Sequence, residues 1–88
     1  QAPNGFTKMR YVYLLQSLSH PEQRYVGSTK NLRQRLVTHN QGGSPHTSKY
    51  PPWRIVTAIR FDDDRRATAF EQYLKTGSGR AFANKRLW

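Results

Sequence analysis

The sequence predicts an α+β fold, an α/β sandwich in which a small three-stranded sheet, antiparallel or mixed, is flanked by helices. Three observations carry that expectation. Three β-branched and aromatic runs are interleaved with helical segments in the order ββαβαα. The first two runs are close enough to pair as a hairpin. Finally, 88 residues allow one domain only, and 35% hydrophobic with 12% aromatic residues suffice for a small core.

Arg10 to Gln16 (RYVYLLQ) reads as the first strand. Alternation places Tyr11, Tyr13 and Leu15 on one face and Val12 and Leu14 on the other. Ser17 to Glu22, with His20-Pro21, reads as a turn. Arg24 to Gly27 is the second strand, its glycine marking a close backbone approach or a bend. Asn31, with Gln34 three residues on, resembles a capping box for a helix from Leu32 to His39 or Asn40, which Gly42-Gly43 ends. Ser44 to Pro52 is loop, and Trp53 to Phe61 is the third strand, with Ile55, Ile59 and Phe61 on one side. Asp64 or a neighbour caps a second helix from Arg65 to Lys75, where the run Asp62-Asp63-Asp64 suits the positive helix start. Gly77 stops it, and Ser78 is the expected cap of a last helix from Gly79 to Arg86. Residues 1–8 are polar and turn-rich and read as a flexible tail ahead of a native start at Met9, leaving residues 9–88 as a single domain.

Lysine and arginine number 15 against five acids, a net charge of +10, and cysteine is absent. Absent cysteine excludes disulfides, thiolate zinc sites and a cysteine nucleophile. No apolar run approaches the roughly 18 residues of a membrane span, and no amphipathic basic helix suggests a membrane surface. The expected partner is therefore nucleic acid, bound with steep salt dependence. Lys30, Arg33, Lys49, Arg65, Arg66, Arg80 and Lys85 are candidate phosphate contacts, with Thr47, Ser48 and Tyr50 further candidates in the loop. Trp88 is a candidate for base stacking, as is Trp53, whose place beside a strand suits the core better. His20 and His46 read as solvated surface residues.

Helical spacing singles out three more residues. Leu32 and Leu36 must face the sheet, which puts Arg35 and His39 on or beside the same buried stripe. Ala67, Phe70 and Leu74 likewise put Glu71 on a core-facing stripe. A bare buried charge costs several kcal/mol, so two readings stand: an internal Arg35–Glu71 ion pair, or a cleft in which Glu71 holds a divalent cation and Arg35 faces a phosphate. One carboxylate suits Mg²⁺, which keeps most of its waters and accepts phosphate oxygens, but it cannot support a paired-metal mechanism.

Taken together, Tyr11-Val12-Tyr13, then Tyr25-Val26-Gly27, then Asn31-Leu32-x-x-Arg35-x-x-x-His39, then Glu71 on a helix resemble the GIY-YIG nuclease superfamily. The similarity runs from about Arg10 to Arg86 and is greatest to small single-domain bacterial members, related to UvrC N-terminal and Slx1-type nuclease domains. Phe70-Glu71-Gln-Tyr-Leu-Lys75-Thr-Gly-Ser-Gly-Arg80 is similar to that subgroup's C-terminal signature. The first motif departs from the family pattern in carrying Tyr11 where the glycine stands.

The resemblance implies a divalent-metal-dependent endonuclease, hydrolysing DNA (rather than RNA) phosphodiesters with one Mg²⁺ or Mn²⁺. It implies Tyr13, Tyr25, Arg35, His39 and Glu71 as catalytic residues, with Glu71 the metal ligand. The family's further Asn would fall near Ala83 or Asn84. An unperturbed phenol is roughly 4 kcal/mol from its phenolate at pH 7, so the expected scheme has Tyr13 or Tyr25 deprotonate water with His39 as relay while Arg35 stabilises developing charge. Cutting is expected to be structure-selective or directed by a protein partner in DNA repair or recombination, in a cytoplasmic, nucleoid-associated setting. The alternatives are a non-catalytic nucleic-acid-binding module and an interaction domain of a repair complex.

Overall fold

A computed structural model describes residues 8–88; the tail expected at residues 1–8 lies, apart from the exposed Lys8, outside the described residues. Strand β1 (Arg10–Ser17) is the centre of the sheet, between β2 (Arg24–Thr29) and β3 (Trp53–Phe61). Both pairings are antiparallel. The helices are α1 (Leu32–Asn40), α2 (Asp64–Leu74) and α3 (Gly77–Arg86).

A strand with apolar residues on both faces has to be covered on both, and β1 is such a strand. Val12 and Leu14 are buried beneath Ala67 and Leu74 of α2 and Ala83 of α3, with Val26, Phe61 and Phe70 at the margin. Tyr13 and Leu15 point the other way, toward Trp53, with Tyr25, Leu32, Leu36 and Ile55 around them. The sheet is thus a shared wall between two small cores, α1 and its following loop on one side and α2 and α3 on the other.

The expected single-sided set on β3 is not observed. Leu14 pairs with Thr57 but Leu15 pairs with Ile55, so Val56 is an extra residue in the ladder. One inserted residue inverts the alternation. Ile55 therefore belongs to the Tyr13 core, whereas Phe61 belongs to the Val12 core.

Helix ends follow local chemistry with small shifts. Asn31 accepts from the Gln34 amide at 3.1 Å, and Gly42, with φ +76°, takes the left-handed conformation just beyond α1. Asp63, the neighbour of Asp64 that the expectation allowed, caps α2 through the Arg65 amide at 2.9 Å. Thr76 caps α3 through the Gly79 amide at 3.1 Å, so Gly77 opens α3 and Ser78 lies inside it. Among the described residues no helix is long and apolar enough to cross a membrane.

Candidate active site

Seating Leu32 and Leu36 on the Tyr13 core turns the next positions on that stripe, Arg35 and His39, toward β1. His39 is fully buried. Its Nε2 lies 2.8 Å from the Tyr13 hydroxyl and its Nδ1 lies 2.7 Å from the Thr47 hydroxyl. Arg35 Nε donates to the same Tyr13 oxygen at 3.4 Å. A guanidinium only donates, so the Tyr13 oxygen accepts from Arg35 and its own proton is free to point at His39. The imidazole assigned by this network is neutral, accepting at Nε2 and donating from Nδ1 to Thr47.

The electrostatics agree with that assignment. Burial lowers the His39 pKa, and the positive charge of Arg35 lowers it further. Burial raises the Tyr13 pKa; the Arg35 hydrogen bond opposes that push, while Tyr25 and the Glu71 charge add to it. Arg35 is held in its charged form chiefly by the hydrogen bond it gives Tyr13. The cluster thus rests as a protonated phenol between a cation and a neutral imidazole.

Thr47 was expected on the surface as a backbone contact, but it is fully buried. Its amide bonds the Ser44 carbonyl at 3.2 Å, and its carbonyl accepts from the Trp53 indole at 2.8 Å. The loop is folded so as to deliver this one hydroxyl to His39.

Tyr25 stands half-buried beside the cluster, its ring centre 6.3 Å from Tyr13 and 5.0 Å from His39. His46 is exposed, as its reading as a solvated surface residue expects, and also stacks on Tyr25, 6.0 Å away with the rings inclined by 25°. The two phenols fit because Gly27, opposite Tyr13 in the register, has no side chain. A Cβ there would sit 2.6 Å from the Tyr13 hydroxyl and 2.8 Å from Tyr25. Both neighbours are rings in packed surroundings, so Gly27→Ala is expected to cost about 1–3 kcal/mol of stability, measurable as a lower thermal midpoint.

Glu71 does not pair with Arg35, which removes the internal ion-pair reading. Its side chain is 18% exposed, and its Oε2 accepts from Lys75 Nζ at 3.1 Å, one turn along α2. The carboxylate still contributes to the field at Tyr13. Along the outer edge of β2 runs a groove of about 490 Å³ that reaches from Tyr25 and Val26 across to Lys75 and Arg80. Tyr25 and Val26 point to opposite faces of the sheet, so a groove touching both must follow the strand's outer edge. A second hollow, about 200 Å³, adjoins Arg35 and the start of α1.

Among the expected phosphate contacts, Lys30, Arg33, Lys49, Arg65, Arg66, Arg80 and Lys85 are all exposed. The structure does not gather them: Lys30 and Arg33 sit at the start of α1, Lys49 in the following loop, and Arg65 and Arg66 on the first turn of α2. Arg80 alone among them lines the main groove, joined there by Arg24 and Lys75, which spacing in the sequence did not single out.

For a divalent cation the donor set is spare. Among the described residues no group of three or more His, Asp or Glu side chains is placed to hold a metal ion. A single half-buried carboxylate at Glu71 nonetheless fits a hard cation that takes most of its ligands from water and phosphate.

A hydrogen-bonded phenol–imidazole–guanidinium cluster, with Tyr25 packed between it and a basic groove, sits in a three-stranded α+β sandwich. The model of the GIY-YIG catalytic domain matches residues 9–86, and the chain belongs to that family. It is 37% identical over 71 residues to the structure-specific endonuclease subunit SLX1 of Debaryomyces hansenii, a match covering 73% of this chain and 20% of that protein. It is 37% identical over 68 residues to a UPF0213 protein of Clostridium perfringens, covering 76% of this chain and 71% of the other. A UPF0213 protein of Lactococcus lactis is 32% identical over 66 residues, covering 74% and 65%. The chain thus spans about a fifth of the SLX1 subunit but most of the clostridial protein.

Proposed function

We propose that this chain is a divalent-metal-dependent endonuclease that hydrolyses DNA phosphodiesters by a one-metal mechanism, acting selectively on branched structures or under the direction of a protein partner. The observation that supports it best is the continuous chain of hydrogen bonds Arg35–Tyr13–His39–Thr47 beside a cationic groove. The similarity to a structure-specific endonuclease subunit supports the same reading.

In this reading Tyr13 draws a proton from the attacking water while passing its own to His39 Nε2, so that a free phenolate never has to accumulate. Thr47 accepts from Nδ1 and holds the imidazole in the tautomer that leaves Nε2 open. Arg35 addresses the phosphate with the nitrogens that Tyr13 does not use, a planar fork suited to two oxygens. Tyr25, half-exposed, orients the substrate at the mouth of the site. Glu71 would hold the cation, whose charge would neutralise the phosphate and its leaving oxygen.

The test is incubation with flap, fork, nicked and single-stranded oligonucleotides, with and without Mg²⁺ or Mn²⁺. Metal-dependent scission of branched substrates ahead of plain duplex is the expected result. Tight binding with no scission of any substrate in either metal would replace the endonuclease by a nucleic-acid-binding module.

A further inference from the structure

The groove along β2 has a composition that phosphate binding alone does not explain. Arg24, Lys75 and Arg80 supply three cations, and no Asp or Glu side chain lines it. The rest of its wall combines Tyr25, His46 and Asn84 with an apolar stretch of Val26, Leu74, Ala83 and the indole of Trp88. A phosphate backbone needs the cations and gains nothing from the indole. A nucleobase has a π-face for which a tryptophan ring is the best of partners.

Trp88 is also held in place. Its amide bonds the Ala83 carbonyl at 3.0 Å, and the Arg24 guanidinium lies 4.7 Å over its ring. Arg24 is itself pinned by the Asn84 side-chain oxygen at 3.1 Å. A guanidinium fixed between an indole and an amide keeps free N–H groups for an anion, at little further cost in side-chain entropy. The volume, about 490 Å³, is in the range of pockets that take small ligands. At one end the groove meets Tyr25, and at the other Lys75, the partner of Glu71.

Resting on the endonuclease reading, we propose that this groove is a subsite for one unpaired nucleotide next to the bond that is cut, its base against Trp88 and its phosphate on Arg24 and Arg80. A base paired inside a duplex has no free face to offer, so the subsite selects strands with an unpaired residue beside the scissile phosphate. This supplies a physical basis for preferring branched over continuous duplex, with no reading of sequence.

The indole N–H signals of the two tryptophans report on the groove without any cleavage. In ¹⁵N-labelled protein with EDTA present, the Trp88 indole signal, identified through Trp88→Leu, is followed during titration with pentathymidylate and with a five-unit abasic strand of equal charge. Pentathymidylate is expected to bind at least about tenfold more tightly and to move the Trp88 signal, leaving buried Trp53 unmoved. Trp88→Leu should reduce that tenfold preference to about one. Arg80→Ala should weaken both strands alike, about three- to tenfold at low salt. Equal affinity for the two strands would overturn the base subsite, even if branched DNA were still cleaved in Mg²⁺. Base-dependent binding without cleavage of any substrate would keep the subsite and overturn the endonuclease.

Discussion

Glu71→Gln is expected to cripple cleavage, with a loss of about a few hundred- to a thousandfold at every Mg²⁺ concentration, while oligonucleotide binding changes by no more than about twofold. Glutamine has the same size, and its carbonyl oxygen can still accept from Lys75, so the packing of α2 is kept. What disappears is one negative charge whose field reaches Tyr13. No cluster of acids or histidines among the described residues is placed to take over as a metal ligand, so raising the metal concentration should not rescue the variant. Removing one well-placed electrostatic element at a reacting centre typically costs about 3–4 kcal/mol, a few hundred- to a thousandfold. Binding should persist because the substitution adds to the net positive charge, and the groove cations Arg24 and Arg80 are untouched. The check is a cleavage series over Mg²⁺ and Mn²⁺ alongside fluorescence anisotropy. Turnover at the parent rate would take Glu71 out of the chemistry, and binding lost together with cleavage would assign it to substrate docking instead.

How far such roles are readable in the sequence alone depends on how local their causes are. The stripe on α1 is local. Two leucines four residues apart fix which way the helix faces, and Arg35 and His39 follow at spacings set by 3.6 residues per turn. The order of strands and helices is nearly as local, since each element carries its own caps and alternation. The β3 bulge is not. Nothing in Trp53–Phe61 announces that Val56 will be skipped in the pairing with β1, and the consequence, Ile55 and Phe61 in opposite cores, follows only from register.

The same distinction divides the site. Thr47 carries no mark of its task in the run Ser44–Pro52; it becomes the partner of His39 because the loop folds back and the Trp53 indole ties its carbonyl. Arg24, Lys75 and Asn84 come from three elements and meet only when α2 and α3 close over the edge of β2. Glu71 was legible as an acid on a packed stripe, but its partner was not. Lys75, one turn away, satisfies the carboxylate locally, and Arg35 is left to bond Tyr13.

The hydrogen-bonded chain predicts that Tyr13→Phe and His39→Gln each lose about a hundredfold in rate, and that the double variant is no slower than either alone. Both remove the same event, the passage of a proton from phenol to imidazole, whose general-base contribution is about 10²–10⁴. Groups that act as one unit are not additive. The acid limb of the parent's pH–rate profile should belong to His39: an imidazolium has no lone pair at Nε2, so activity is present while His39 is neutral and falls as it takes up a proton. Burial and the Arg35 charge lower that pKa, placing the limb below the ordinary value of 6.5. Stability runs in the same direction. With a folded pKa below the unfolded one, the contribution of neutral His39 is fully present above about pH 6.5 and is lost as pH falls through the folded value. A purely structural His39 would change the thermal midpoint of His39→Gln and leave the shape of the rate profile alone. A proton acceptor would also take the limb away. Tyr25→Phe supplies the contrast, because Tyr25 packs on the imidazole without the short hydrogen bond that Tyr13 makes. It should lower the rate while keeping the His39 limb, and a Tyr25→Phe profile that lost the limb while Tyr13→Phe retained it would move the proton path from Tyr13 to Tyr25.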